Sequence, residues 1–236
     1  MTDPDAAFER VLLPVRILAG DGLSPGVPAL VGHLPVLLLG YHVIPEQTPP
    51  DQARQQFEDR AQGALADLAA AFEGPVETRL VFTHDAEQTV DRVAEEAGVG
   101  AVLLPNPIAS PERLLVTVHP DVDLGRLASV VARLCEGRDI SLTLFAAAEH
   151  ETDLPAAQLD AVRDRLVDLG IPAGAIRTET RTGEPAVRAI AAAALDHDAV
   201  VMGERAPSWR ELVFGDVAEQ VAAETVGPVV VVRRRD

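Results

Sequence analysis

The sequence predicts an α/β fold with parallel sheets, built from two consecutive copies of one strand–helix unit. Short runs rich in Val, Leu and Ile alternate with longer segments whose apolar residues recur at helical spacing. Those runs are continuous rather than alternating, as in VLLLGYHVI at 36–44, which suits parallel strands covered on both faces. The order also repeats in residues. RVLLPV at 10–15 answers RLLVTV at 113–118, and VETRLVFTHDAEQTVDRVAEEAGVGAVLLP at 76–105 answers AIRTETRTGEPAVRAIAAAALDHDAVVMG at 175–203.

In chain order, 10–15 is the first strand, and Pro14 predicts that it is an edge strand or is ending there. Several Gly and Pro at 19–35 leave room for a short helix. A second strand follows at 36–44. Pro49-Pro50-Asp51 opens a helix that reaches about Phe72, with Phe57, Ala61, Ala64, Leu65 and Leu68 on one face, and Gly74-Pro75 ends it. Strand 78–83, helix 86–97 and strand 101–104 complete the first copy. PNPIASPE is then the boundary between units 1–110 and 111–236. The second copy repeats the order: strand 114–118, helix 124–135, strand 140–146, helix 154–169, strand 176–180, helix 185–195 and strand 199–202. It continues where the first stops. A polar loop with Arg205, Pro207, Trp209 and Arg210 leads to Gly215-Asp216, a helix reading VAEQVAA, and the strand VVVV after Gly227-Pro228. Strand, glycine loop and helix start is a geometry that presents backbone N–H groups to an anion.

Composition excludes several classes. At 236 residues the chain can bury one large core or two small ones, and 47% hydrophobic content excludes a disordered chain. Aromatics are only 3%, too few for base-stacking platforms. The net charge of −17 carries no Lys, every basic side chain being Arg, and such a field opposes nucleic-acid binding. It suits a cytoplasm at high salt, where screening removes self-repulsion; an ordinary acidic soluble protein is the simpler alternative. MTDPDAAFER has no signal pattern and no apolar run reaches the length of a membrane span, so a cytoplasmic protein without direct membrane insertion is expected. Cys135 lies in an apolar helical pattern and reads as a small buried hydrophobe. The six histidines lack metal-ligand spacing and no nucleophile elbow exists, so neither a metal nor a catalytic residue is expected.

The closing stretch, VVMG, FGDVAEQV and GPVVVVR, together with RVLLPV, resembles the universal stress protein family in a tandem form. The resemblance implies two Rossmann-like units, similar to the adenine nucleotide alpha hydrolase fold, the first truncated because AVLLP runs almost directly into the second. In ATP-binding members a Gly-x-x-Gly loop and a Ser or Thr cradle the phosphates, and an Asp after the first strand contacts the nucleoside. Carried over, the degenerate nucleotide site is Gly203, Arg205, Ala206, Gly215, Asp216 and His119. Ala206 stands for the second Gly, Asp216 for Ser or Thr, and His119 for the Asp, with Arg16 its counterpart in the first copy. Asp216 as an N-cap is a built-in anion that repels phosphate, whereas Arg205 and Arg210 attract it unless they pair with Glu204 or Glu211. Weak ATP or AMP binding is therefore expected. The last strand often makes the dimer contact in this family, so a homodimer through Val229–Val232 is expected, the alternative being coverage within the chain. The leading function is a stress-response regulatory protein acting through protein partners with little or no catalysis. An ATP/AMP switch at Gly203–Asp216 and a soluble regulatory subunit of a membrane transporter are the alternatives.

Overall fold

Apolar runs too long to be satisfied at a surface have to pair with one another. In the computed structural model, which describes residues 10–19, 22–204 and 227–233, they do so in one sheet. The elements are β1 (Val11–Arg16), α1 (Gly26–Val31), β2 (Val36–Val43), α2 (Pro50–Ala69), β3 (Val76–Thr83), α3 (Ala86–Glu96) and β4 (Ala101–Leu104), then β5 (Arg113–Thr117), α4 (Leu124–Cys135), β6 (Ser141–Ala148), α5 (Ala156–Asp168), β7 (Ile176–Thr182), α6 (Ala186–Ala194), β8 (Ala199–Gly203) and β9 (Val229–Val232). Strand order is β3-β2-β1-β4-β9-β8-β5-β6-β7. The order β3-β2-β1-β4 of the first half recurs as β7-β6-β5-β8 in the second, with β9 added inside. All pairs are parallel except β4–β9, so the two halves run in opposite directions within one continuous sheet.

Both faces are covered, which is why the strands read as unbroken apolar runs. One core lies under α1, α2, α4 and α5, with Leu30, Leu65, Val131 and Leu166 buried against Leu13, Leu38, Val116 and Leu144. The other lies under α3 and α6, where Val93 and Ala193 meet Leu12, Phe145 and Met202. Helix starts follow local chemistry. Pro50 opens α2 with its missing N–H where none is needed. Asp85 and Asp123 cap α3 and α4 by accepting from the N–H groups of Gln88 and Arg126, both at 3.0 Å.

Two expectations are corrected. Pro14 lies in a central strand, not at an edge. The N–H groups of Val11 and Ile17 bond toward β2, so by alternation the Pro14 nitrogen faces β4, whose pairing with β1 stops at Leu12–Val102; the missing donor is not needed. Val229–Val232 is not an open edge for a second chain. Its two sides are occupied by β8 and by β4, with Leu103 opposite Val230 and Leu104 opposite Val229. The first half ends at β4 with no further strand of its own, so β4 offers the edge that β9 needs. The halves are also tied through Arg138, whose guanidinium donates to the Ala29 and Leu30 carbonyls at the end of α1 and to the Leu134 carbonyl of α4.

Candidate functional site

In an open α/β sheet, ligands bind beyond the carboxyl ends of the strands where the order reverses. In the second half that place lies between β5 and β8. Gly203 closes β8 and is buried, and His119 lies two residues past β5. A Cβ on Gly203 falls 3.0 Å from Val122 Cγ2 and 3.1 Å from His119 Nε2, so the imidazole rests against the glycine that ends the strand. His119 is held there from its own turn. Its Nδ1 accepts from the Asp121 N–H at 3.3 Å, and its carbonyl accepts from the Val122 N–H at 3.2 Å. The surroundings are acidic. Asp121 and Asp123 flank the turn, and Glu204 follows Gly203, pairing with Arg233 at 3.1 Å.

Thr117 precedes His119 by two residues and was not singled out from the sequence. It is 3% exposed, and its hydroxyl has no hydrogen-bond partner among the described residues. The signal was present in the repeat, because Thr117 stands where the first half has Pro14: a polar group enters at a position its counterpart fills with an apolar one.

The equivalent place in the first half is shut. After β1 the chain passes Ser24 and Gly26, and after β4 it passes Ile108. The Ile108 N–H donates to Ser24 Oγ at 2.9 Å, and the Gly26 N–H donates to the Ile108 carbonyl at 3.2 Å. A Cβ on Gly26 falls 2.6 Å from that carbonyl oxygen, so the two segments are in direct backbone contact. Ile108, 8% exposed, is part of the core. Arg16, the counterpart of His119, ends β1 exposed to solvent.

Of the expected site, Gly203 and His119 are thus brought together. Arg205, Ala206, Gly215 and Asp216, with Trp209 and Arg210, lie outside the described residues. Cys135 is buried, and burial pushes its thiol up to about 11, so it is an inert core residue. His197 is pinned, donating from Nδ1 to the Ala193 carbonyl at 2.8 Å and bonding the Thr143 hydroxyl through Nε2 at 2.9 Å. His84 Nδ1 donates to the Ile44 carbonyl at 3.2 Å. Among the described residues no group of three or more His, Cys, Asp or Glu side chains could hold a metal ion.

The universal stress protein family model matches residues 112–233, slightly more than half of the chain. The chain belongs to the universal stress protein family. Two solved structures from Pseudomonas aeruginosa share the fold of this universal stress protein. One, from strain PAO1, is described as functionally unknown, and the other, from UCBPP-PA14, as a universal stress protein. Each is 17% identical, with a TM-score of 0.50, 98% of this chain covered and 95% of the other. The cytoplasmic domain of a prokaryotic cation chloride cotransporter is 11% identical over 94% of each chain, at a TM-score of 0.42 that carries no functional argument. No curated protein matches the chain in sequence at a significant level.

Proposed function

We propose that this universal stress protein is a cytoplasmic regulatory protein that works by binding protein partners, with little or no catalysis. Its first unit, to about residue 110, is degenerate, and its nucleotide cleft survives only in reduced form in the second. The observation that carries this reading is the tie between Ile108 and the Ser24–Gly26 segment, which fills with the chain's own backbone the space that a ligand of the first unit needs. In the second unit, His119 against Gly203 narrows the cleft, and an imidazole stands where the family pattern has a carboxylate for the nucleoside.

Asp216 adds electrostatics. It occupies the Ser or Thr position of the family's phosphate loop. A carboxylate at ~4 Å from a phosphate, at an effective dielectric near 20, costs on the order of 4 kcal/mol, or roughly three decades of affinity. Asp216→Ser is therefore expected to strengthen ATP binding, and His119→Asp alone to change it little. Calorimetric titration of both variants with ATP and AMP in molar KCl tests the reading. Submicromolar ATP binding by the unmodified chain, or no gain from Asp216→Ser, transfers the case to the second reading, a nucleotide switch. That switch draws support from Gly203, which keeps the end of β8 free of a side chain.

A further inference from the structure

At the opposite end of the second half, the strands begin around a polar cavity of 540 Å³ between α6, β6 and β7. Arg113, Thr143, Arg177, Arg181, Asp196 and His197 line it. The first half provides an internal comparison, because strand register matches it position by position: Leu37 faces Glu77 as Thr143 faces Arg177, and Arg10 starts β1 as Arg113 starts β5. In the first half, Arg10 reaches across Leu37 to Glu77 at 2.6 Å, an ion pair that closes the surface. In the second half both ends of that span are arginines. Arg113 keeps one partner, Asp198 at 3.1 Å, while the Arg177 side chain has no ion pair or hydrogen bond among the described residues. Two cations facing one another across a strand repel; Asp198, with Asp196 and Glu112 beside it, offsets Arg113, whereas no carboxylate among the described residues pairs with Arg177.

The floor has changed in the same sense. The first half has apolar Leu37 and Val99, both buried. The second has Thr143 and His197, bonded to each other at 2.9 Å, which keeps the floor polar. Arg181 is held at one side by Glu179 at 3.1 Å and by the Phe145 ring, with its guanidinium carbon 5.7 Å from the ring centre. Glu179 is thereby engaged, and Asp196 is the remaining carboxylate on the lining.

The geometry points to an anion site here, for a small ligand carrying phosphate groups, with Arg177 and Arg113 as its two grips and Arg181 as the fixed wall. Guanidinium groups match phosphate oxygens in bidentate geometry, and an anion between Arg113 and Arg177 supplies Arg177 with the countercharge it lacks. Its two grips, Arg113 and Arg177, lie at the starts of β5 and β7, roughly 15 Å along five residues of extended chain from the end of β5 that carries His119, while Arg181 reaches in from near the end of β7.

Inorganic pyrophosphate is the probe, titrated into the full chain by calorimetry at about 0.1 M ionic strength, where screening is modest. Saturable binding below about 10 mM is expected. Arg177→Glu places at this exposed position the residue type that the first half carries at Glu77; with its fold checked by circular dichroism it is expected to bind at least tenfold more weakly, while His119→Asp leaves binding unchanged. Absence of binding by the unmodified chain overturns the proposal. So does unchanged binding by Arg177→Glu, or a loss caused by His119→Asp, which moves the pyrophosphate to the other cleft.

Discussion

Thr117 and Asp198 show how single polar groups are treated in this core. The Thr117 hydroxyl is buried without a partner among the described residues, a cost of about 1–3 kcal/mol for a group removed from water. Thr117→Val keeps the shape and removes the hydroxyl. It is expected to stabilise the chain by about 1–2 kcal/mol, read as a raised urea midpoint at unchanged slope. Asp198 is the opposite case. Burial alone pushes its carboxyl up, but the Arg113 guanidinium and the N–H groups of Arg113 and Glu112, at 2.7 and 3.1 Å, outweigh that and hold it below its ordinary 3.8. A depressed folded value contributes stability above the unfolded value, lost as pH falls through the folded one. Asp198→Asn should therefore cost about 1–3 kcal/mol at pH 7, and the difference from the parent should shrink below about pH 4, as urea unfolding at the two pH values will show.

Among the elements, the lesson concerns which edge a strand finds. Every strand and helix predicted within the described residues is present, because the apolar periods are strong and Gly-Pro pairs punctuate them. Ends moved by a few residues for local reasons. The helix expected to reach Phe72 ends at Ala69, but the N–H groups of Ala71 and Phe72 still bond back to Leu68 and Ala69 in a tightened last turn. The partner of β9 was not legible. VVVV is equally apolar whether a second chain or β4 covers it, and only the missing strand of the first half hinted at the answer. Pro14 misled for a related reason, since its meaning depends on which side of the strand lacks a donor. The family pattern named His119 and Gly203, which the fold brings side by side, and the repeat carried a signal at Thr117 opposite Pro14, whereas the closure by Ile108 depends on contacts that no local pattern encodes. Because β4–β9 makes one sheet of both halves, the halves should unfold together. Leu103→Ala, at a fully buried residue in that pair, should cost about 2–5 kcal/mol and keep a single calorimetric transition. Two resolved transitions would mean that the β4–β9 pair does not couple the halves.

On the scale of the whole molecule, charge and the reduced cleft act together. A net charge of −17 repels itself over a range set by the Debye length, about 10 Å at 0.1 M salt and about 3 Å at 1 M. If the chain is adapted to high salt, its melting temperature rises strongly from about 0.1 to 2 M KCl; a flat profile by circular dichroism contradicts that adaptation. The same field opposes a triphosphate approaching His119, Asp121 and Glu204, and in the first half the ligand space is filled by the chain itself. The account therefore rests most directly on one titration of the intact protein with ATP in molar KCl, followed by calorimetry. It predicts weak binding or none, well above micromolar. Submicromolar affinity would contradict it.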